Sequence, residues 1–178
     1  MTPWRDVVRS PAWVEAVTSP RRVTSSRVEA VSVSGAALGD VPVLSARVSF
    51  DGEQAEQWRA SFAFTDPALV PTSPRSILDG RSGVLLRPWW RVLTAAGWLE
   101  VPLGTFVVED PEVEEAEGLR VSVGGLDPLA VARRGGYGGA VVPVGGLTVS
   151  QALKSLFAAV MPGWPVSIGE SAVVLPAS

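Results

Sequence analysis

The sequence lacks two residue types on which most enzyme and metal sites depend. There is no histidine and no cysteine among its 178 residues, and Lys154 is the only lysine. Imidazole acid–base catalysis, thiol nucleophiles, disulfides and zinc sites with Cys or His ligands are therefore excluded together. A hydrolase triad would have no base except Lys154, which lies in a helical pattern without a Ser-x-x-Lys motif.

Charge is also scarce. Charged residues make up 19% of the chain against 47% hydrophobic residues, and the net charge is −3. This balance does not produce the basic field that nucleic acids or anionic membranes attract. No apolar stretch approaches the ~20 residues of a membrane span, and the first residues carry Asp6 without the apolar core of a secretory signal. We therefore expect a protein made in a cytoplasm, without a membrane span and without a nucleic-acid partner.

What the chain does contain is period-two alternation, which predicts an antiparallel β hairpin with one buried face. Apolar residues alternate with polar ones from Leu44 to Phe50, and again from Trp58 to Phe64 after a polar connector. Trp58 belongs to the core-facing positions of this pattern and is expected in the core. Other strands are predicted at 23–33, 84–93, 98–108, 119–123 and 168–175.

Proline, glycine and acidic clusters mark the connections. Pro88 and Pro102 lie inside predicted strands, which places them at edges or bulges. The segment 34–41, with Gly35 and Gly39, is predicted to turn the chain. The segment 109–117 holds six of the 18 acidic residues and is predicted as a solvated hairpin turn.

Helices are predicted at both ends. Thr2-Pro3 and Ser10-Pro11 are two cap-and-proline starts, and their helices carry Trp4 and Trp13, which need a partner surface on the same domain or on a neighbouring subunit. Thr148 to Gln151 is a capping box that opens an amphipathic helix. The fold class is thus mainly β (α+β): an antiparallel barrel-like or sandwich β domain with short N-terminal helices and one C-terminal helix.

Composition divides the chain into four parts. A helical arm spans 1–21, the β domain 22–134, and a glycine-rich linker 135–146, while the helix plus strand of 147–178 is expected to begin a second domain. The candidate protein-interface residues are either tryptophans expected at a surface or members of the glycine-rich segment. They are Trp4, Trp13, Trp89, Trp90, Gly135, Gly136, Tyr137, Gly138 and Gly139. One of the adjacent pair Trp89 and Trp90 must point away from the core in a regular strand, and an outward Trp is typical of a protein–protein anchor.

Two chemical alternatives stay open at this point. Aromatic residues on short strands suit a nucleic-acid-binding β-barrel. The acidic run suits a carboxylate-dependent cell-wall hydrolase, with Glu112 and Glu114 as its first candidates. The run lacks the spacing of a calcium loop, and clustered exposed acids do not provide the raised pKa of a general acid. We therefore expect no enzyme activity, no metal and no cofactor.

Several segments resemble a known family. They are the strand end ASFAFTDP at Ala60 to Pro67, the turn at Leu78 to Gly80, and VPLGTFVVED from Val101 to Asp110. Over roughly Val28 to Arg134 the chain is similar to the N-terminal part of actinobacteriophage minor tail proteins, which resemble the baseplate-hub or tail-tip-hub proteins of long-tailed phages.

This resemblance implies a structural virion protein located in the tail. Hub proteins form a homotrimeric ring of barrel-like domains that closes the tail tube. The implied partners are further copies of the chain, the tail tube or distal tail protein, the tape-measure protein, and tip or fibre proteins. Members of the family run well beyond 178 residues, so a second domain is expected to be only begun here.

Overall fold

A computed structural model describes residues 4–53, 58–115, 118–130, 143–164 and 168–176. Two short helices, α1 (Trp4–Arg9) and α2 (Pro11–Thr18), precede the β domain. Its strands are β1 (Thr24–Ser32), β2 (Ala37–Val41), β3 (Ser45–Phe50), β4 (Trp58–Phe64), β5 (Val84–Thr94), β6 (Gly97–Pro102), β7 (Phe106–Val108), β8 (Glu112–Glu114) and β9 (Arg120–Leu126), and helix α3 (Val149–Val160) follows. None of the helices within these ranges is long and apolar enough to cross a membrane.

The nine strands form one antiparallel sheet in the order β2-β1-β5-β7-β9-β4-β3, with β6 beside β5 and β8 beside β9. The mainly β fold with short helices is therefore confirmed. β2 and β3 are at opposite ends of this order, yet only residues 42–44 connect them. Four Cα steps span at most about 14 Å, so the sheet must curl until its ends approach. No ladder joins β2 to β3 in the described part of the chain, and the sheet is sandwich-like rather than a closed barrel.

Curling gives the sheet an inner face, which holds the core, and an outer face. The core packs Val28 of β1 and Leu86 of β5 against Phe62 and Phe64 of β4 and Phe106 of β7. Each of these positions follows the period-two alternation of its strand. The loop between β4 and β5 adds Leu69 and Leu78 to the same core.

A β-bulge explains both prolines of the second hairpin. Trp89 pairs with Pro102, and Leu86 pairs with Phe106, so residues 103–105 oppose only residues 87–88. Gly104 takes up the extra residue with φ +123. The predicted strand 98–108 is therefore two strands, and the prediction that Pro88 and Pro102 lie at edges or bulges is confirmed.

Three other predictions are corrected. Residues 37–41, predicted as a turn, form strand β2, because the bulge at Leu38 with Gly39 at φ +132 lets it pair with β1. Part of the acidic run forms β8 on the edge of β9 rather than a turn. Residues 168–175 make a single bridge, Thr148 to Val174, instead of a strand.

The predicted capping signals are confirmed where the structure describes them. Ser10 accepts from Trp13 N–H at 3.2 Å and opens α2. Thr148 and Gln151 form a reciprocal capping box at the start of α3. The division of the chain at 21, 134 and 146 stays a prediction, and most of the linker lies outside the described residues.

Candidate interaction surfaces

Trp89 and Trp90 are consecutive in β5 and point to opposite faces of the sheet, as the alternation predicts. Trp90 meets Trp13 of α2 edge-on, with ring centroids 5.2 Å apart and planes at 78°. Trp13 is only 8% exposed. The N-terminal helix α2 is thus docked on the sheet of its own chain, and the interface roles of Trp13 and Trp90 stay predictions.

Trp89 lies on the outer face, in contact with charged side chains of the neighbouring strand β1. The Arg27 guanidinium lies 4.9 Å from the centre of its ring, and the indole N–H donates to Glu29 Oε2 at 3.2 Å. Arg27↔Trp89 and Glu29↔Arg87 are direct cross-strand pairs. The outward Trp is therefore held by a cation–π contact and a hydrogen bond rather than left bare.

The same face carries a continuous network of ion pairs across four strands. Arg27 contacts Asp40 at 2.7 Å and Glu100 at 3.1 Å, while Arg91 lies 3.7 Å from Glu100 and stacks over Trp98 at 5.0 Å. Burial alone lowers the pKa of Arg27, but hydrogen bonds and charge from Glu100 and Asp40 outweigh it and raise that pKa. Three arginines, including Arg87, pair with three acids, so this network of ion pairs has no net charge.

An exposed aromatic pair lies at the end of the β3–β4 hairpin. Phe50 and Trp58 are cross-strand partners with ring centroids 4.9 Å apart, and they are 57% and 40% exposed. The expectation that Trp58 is in the core is wrong. Alternation assigns it correctly to the inner face, but its place at the strand end leaves it beyond the packed layer.

The two ends of the sheet present different edges. Among the residues that the structure describes, β3 is a regular six-residue strand paired only with β4 on one side. Within the same residues, β2 is paired only with β1 and is interrupted by the bulge at Leu38. Bulges and charges commonly blunt edge strands, whereas a regular uncovered edge is a template for a further strand. The sequence did not predict that β2 and β3 are the edge strands, because strand order depends on tertiary structure.

The acidic residues line a groove on the outer face rather than an enclosed site. The groove has a volume of 560 Å³ and is lined by Arg47 of β3, Ser61 of β4, Ser122 of β9, and Glu109 and Glu112. Glu112 and Glu114 are exposed on the outer face of β8. Lys154 is exposed on α3. Within the described ranges no group of three acidic side chains is placed to hold a metal ion.

The remaining predicted interface residues lie outside the part of the chain that the structure describes. Gly135, Gly136, Tyr137, Gly138 and Gly139 are not among the described residues, nor is the side chain of Trp4, although the Trp4 backbone begins α1. Their interface roles therefore stay predictions.

Comparison with protein-family models, with curated proteins and with solved structures found no match to this chain.

Proposed function

We propose that this chain is a structural subunit of a virion tail. Its role would be that of a tail-tip or baseplate hub, joining the tail tube to the distal tip of a long-tailed phage or a related tail-like particle. The observation that carries the proposal is the edge strand β3, which has a ladder on one side only in the described part of the chain, with the exposed Phe50 and Trp58 at the end of its hairpin. In a monomer, an unpaired edge strand beside exposed aromatic side chains promotes aggregation, whereas in an assembled subunit it can pair with a neighbour.

The identity of the assembly comes from the resemblance of Val101 to Asp110 and its neighbouring segments to minor tail proteins. On this basis the partners are further copies of the chain as a homotrimer, the tail tube or distal tail protein, the tape-measure protein, and tip or fibre proteins. A subunit that acts only by binding its neighbours requires no catalytic group, metal or cofactor. This agrees with a sequence that has no histidine or cysteine.

Sedimentation at tens of micromolar, with and without the tail tube protein of the same particle, tests the proposal. We expect a species larger than the monomer and a complex with the tube protein. A strict monomer that does not bind the tube protein would count decisively against a hub role.

One observation favours a second candidate, a nucleic-acid-binding β domain. Trp89, Trp98 and their stacked arginines share one sheet face, and such surfaces can stack bases. The acids of that face balance its arginines, which weakens the attraction to phosphate. Titration with a single-stranded oligonucleotide at low salt decides: quenching of Trp fluorescence would support this candidate, and an unchanged signal would remove it.

The carboxylate hydrolase is the third possibility, and it is the least supported because its acids lie on an open surface. Digestion of purified cell wall by the wild type and by the double variant Glu112→Gln/Glu114→Gln tests it. We expect no digestion by either protein.

A further inference from the structure

Four neighbouring strands of the sheet end, in the described part of the chain, in an edge without a ladder partner on each side. Their order is β3-β4-β9-β8, and β3 pairs only with β4 while β8 pairs only with β9 within the described ranges. Both outer strands keep a regular register with their neighbour. Each therefore offers unpaired backbone N–H and C=O groups to another strand.

The side chains of the two edges match in polarity. On the outer face, β3 presents Arg47 between two serines, and β8 presents Glu112 and Glu114. On the inner face, β3 presents the half-buried Val48, and β8 presents Val113, which is 41% exposed although its cross-strand partner Val121 is fully buried. If the two edges paired, an acidic strand would face a basic one outside, and valine would cover valine inside.

The charges of the two edges do not compensate each other within one chain. Three strand spacings separate β3 from β8, or about 14 Å at ~4.8 Å each. No ion pair within 4 Å joins Arg47, Glu112 or Glu114 to any other residue that the structure describes. Arg120 is the direct cross-strand neighbour of Glu114 and offsets part of its charge, whereas Glu112 and Arg47 lie opposite Ser122 and Ser61. The charges of Arg47 and Glu112 in particular are therefore available to a partner.

The edge strand β2 is less suited to the same contact. β2 is bulged at Leu38, and its one acid, Asp40, already pairs with Arg27 at 2.7 Å. A bulged edge with a satisfied charge gives a poor template for an acidic strand or a basic one.

We propose that β8 of one copy adds to β3 of a second copy, continuing the four-stranded sheet from chain to chain. The inference rests on the proposed function, since it identifies the self-contact that an assembled subunit requires. The contact is heterologous, because it joins different surfaces of the two copies, and it generates a ring if the rotation closes. In the antiparallel register that sets Val113 of one copy opposite Val48 of the other, Arg47 lies directly opposite Glu114 and diagonal to Glu112.

Charge reversal tests the pairing. Arg47→Glu places like charges along the joined edges, and we expect it to weaken self-association at least about tenfold. Combining it with Glu112→Arg/Glu114→Arg restores opposite charges and is expected to recover the wild-type association. The matched control is Arg75→Glu, an exposed loop arginine whose reversal changes the net charge equally and is expected to leave association unchanged.

The absence of cysteine permits an independent test of the geometry. Ser49→Cys labels β3 and Glu112→Cys labels β8, and both positions are exposed on the outer face. A short bis-maleimide is expected to give cross-linked dimers when the two variants are mixed, and not when either is treated alone. Cross-linking of Ser49→Cys by itself would mean a β3-to-β3 contact and would overturn the proposal.

Failure of this inference is distinguishable from failure of the proposed function. An oligomer that persists in Arg47→Glu, with no cross-link in the mixture, would refute the β3–β8 contact and leave the structural role standing. A wild-type chain that is monomeric and does not bind the tube protein would refute both. Circular dichroism of each variant excludes misfolding as the cause of lost association.

Discussion

Replacement of Trp13 by alanine tests whether the N-terminal helices belong to the domain in solution. Trp13 contacts Trp90 edge-on at 5.2 Å and is 8% exposed. An aromatic side chain of this kind buries 150–250 Å², which at about 25 cal/mol per Å² amounts to roughly 4–6 kcal/mol as an upper estimate. Measured Trp→Ala changes in packed sites cost about 3–5 kcal/mol.

This loss falls on a local unit rather than on the whole fold. α2 contacts the sheet at β5, and α1 contacts it at β6, whereas the main core cluster uses other residues. We therefore expect Trp13→Ala to release α1 and α2 while the β1–β5 ladder persists. Hydrogen exchange would show α2 amides losing protection by a factor of at least about 100, equivalent to nearly 3 kcal/mol, with β5 amides much less affected.

Val14→Ala is the matched control, because Val14 is in the same helix and 49% exposed. It is expected to change α2 protection only slightly. Equal effects of the two changes, or full α2 protection in Trp13→Ala, would refute the reasoning that the indole contact holds the helix. Loss of β5 protection to the same extent as α2 would refute the claim of local release.

Two further predictions concern the sheet and the long loop. In Gly125→Ala the added methyl would meet Phe106 Cβ at 2.9 Å and Phe62 Cε2 at 3.1 Å, so we expect the free energy of unfolding to fall by about 1–3 kcal/mol and the Tm by roughly 2–12 °C. Gly52→Ala, where the nearest atom is at 3.6 Å, is the control. An unchanged Tm in Gly125→Ala would contradict the packing argument. Hydrogen bonds from Arg81 lower the pKa of Asp79 from 3.8 to about 2, so the ionised carboxylate stabilises the loop fully above pH ~4 and progressively less as the pH falls toward 2. The urea midpoints of the wild type and of Asp79→Asn should therefore differ at pH 6 and converge near pH 2. A difference that stays constant with pH would contradict this linkage.

Local signals in the sequence predicted the elements well. The alternation from Trp58 to Phe64 covers the same residues as β4, and Thr148 to Gln151 forms the capping box that its spacing predicts. Both signals depend only on neighbouring residues, through the period of a strand and the reach of a hydroxyl. Tertiary structure does not alter them.

The predictions that were wrong concern features that a single segment of sequence cannot encode. Residues 37–41 have the glycine and aspartate of a turn, but pairing with β1 makes them a strand and uses Gly39 to carry the bulge. Trp58 has a core-facing parity, yet its depth depends on what covers the hairpin end. The charged face around Trp89 unites residues up to 73 positions apart, such as Arg27 and Glu100. No sequence window could reveal it.

The segment VPLGTFVV, the most specific part of the resemblance, has a structural explanation in this fold. Pro102 ends β6, Gly104 adopts φ +123 with the Phe106 ring within 3.1 Å of any added Cβ, and Phe106 enters the core from β7. Gly104 carries the bulge between β6 and β7, and these two strands pair with successive parts of β5. The segment thus encodes a way of building the sheet, and its residues indicate nothing about which partner the chain binds. Evidence for assembly must then come from the edges, which is why Arg47, Glu112 and Glu114 are the changes that discriminate most sharply.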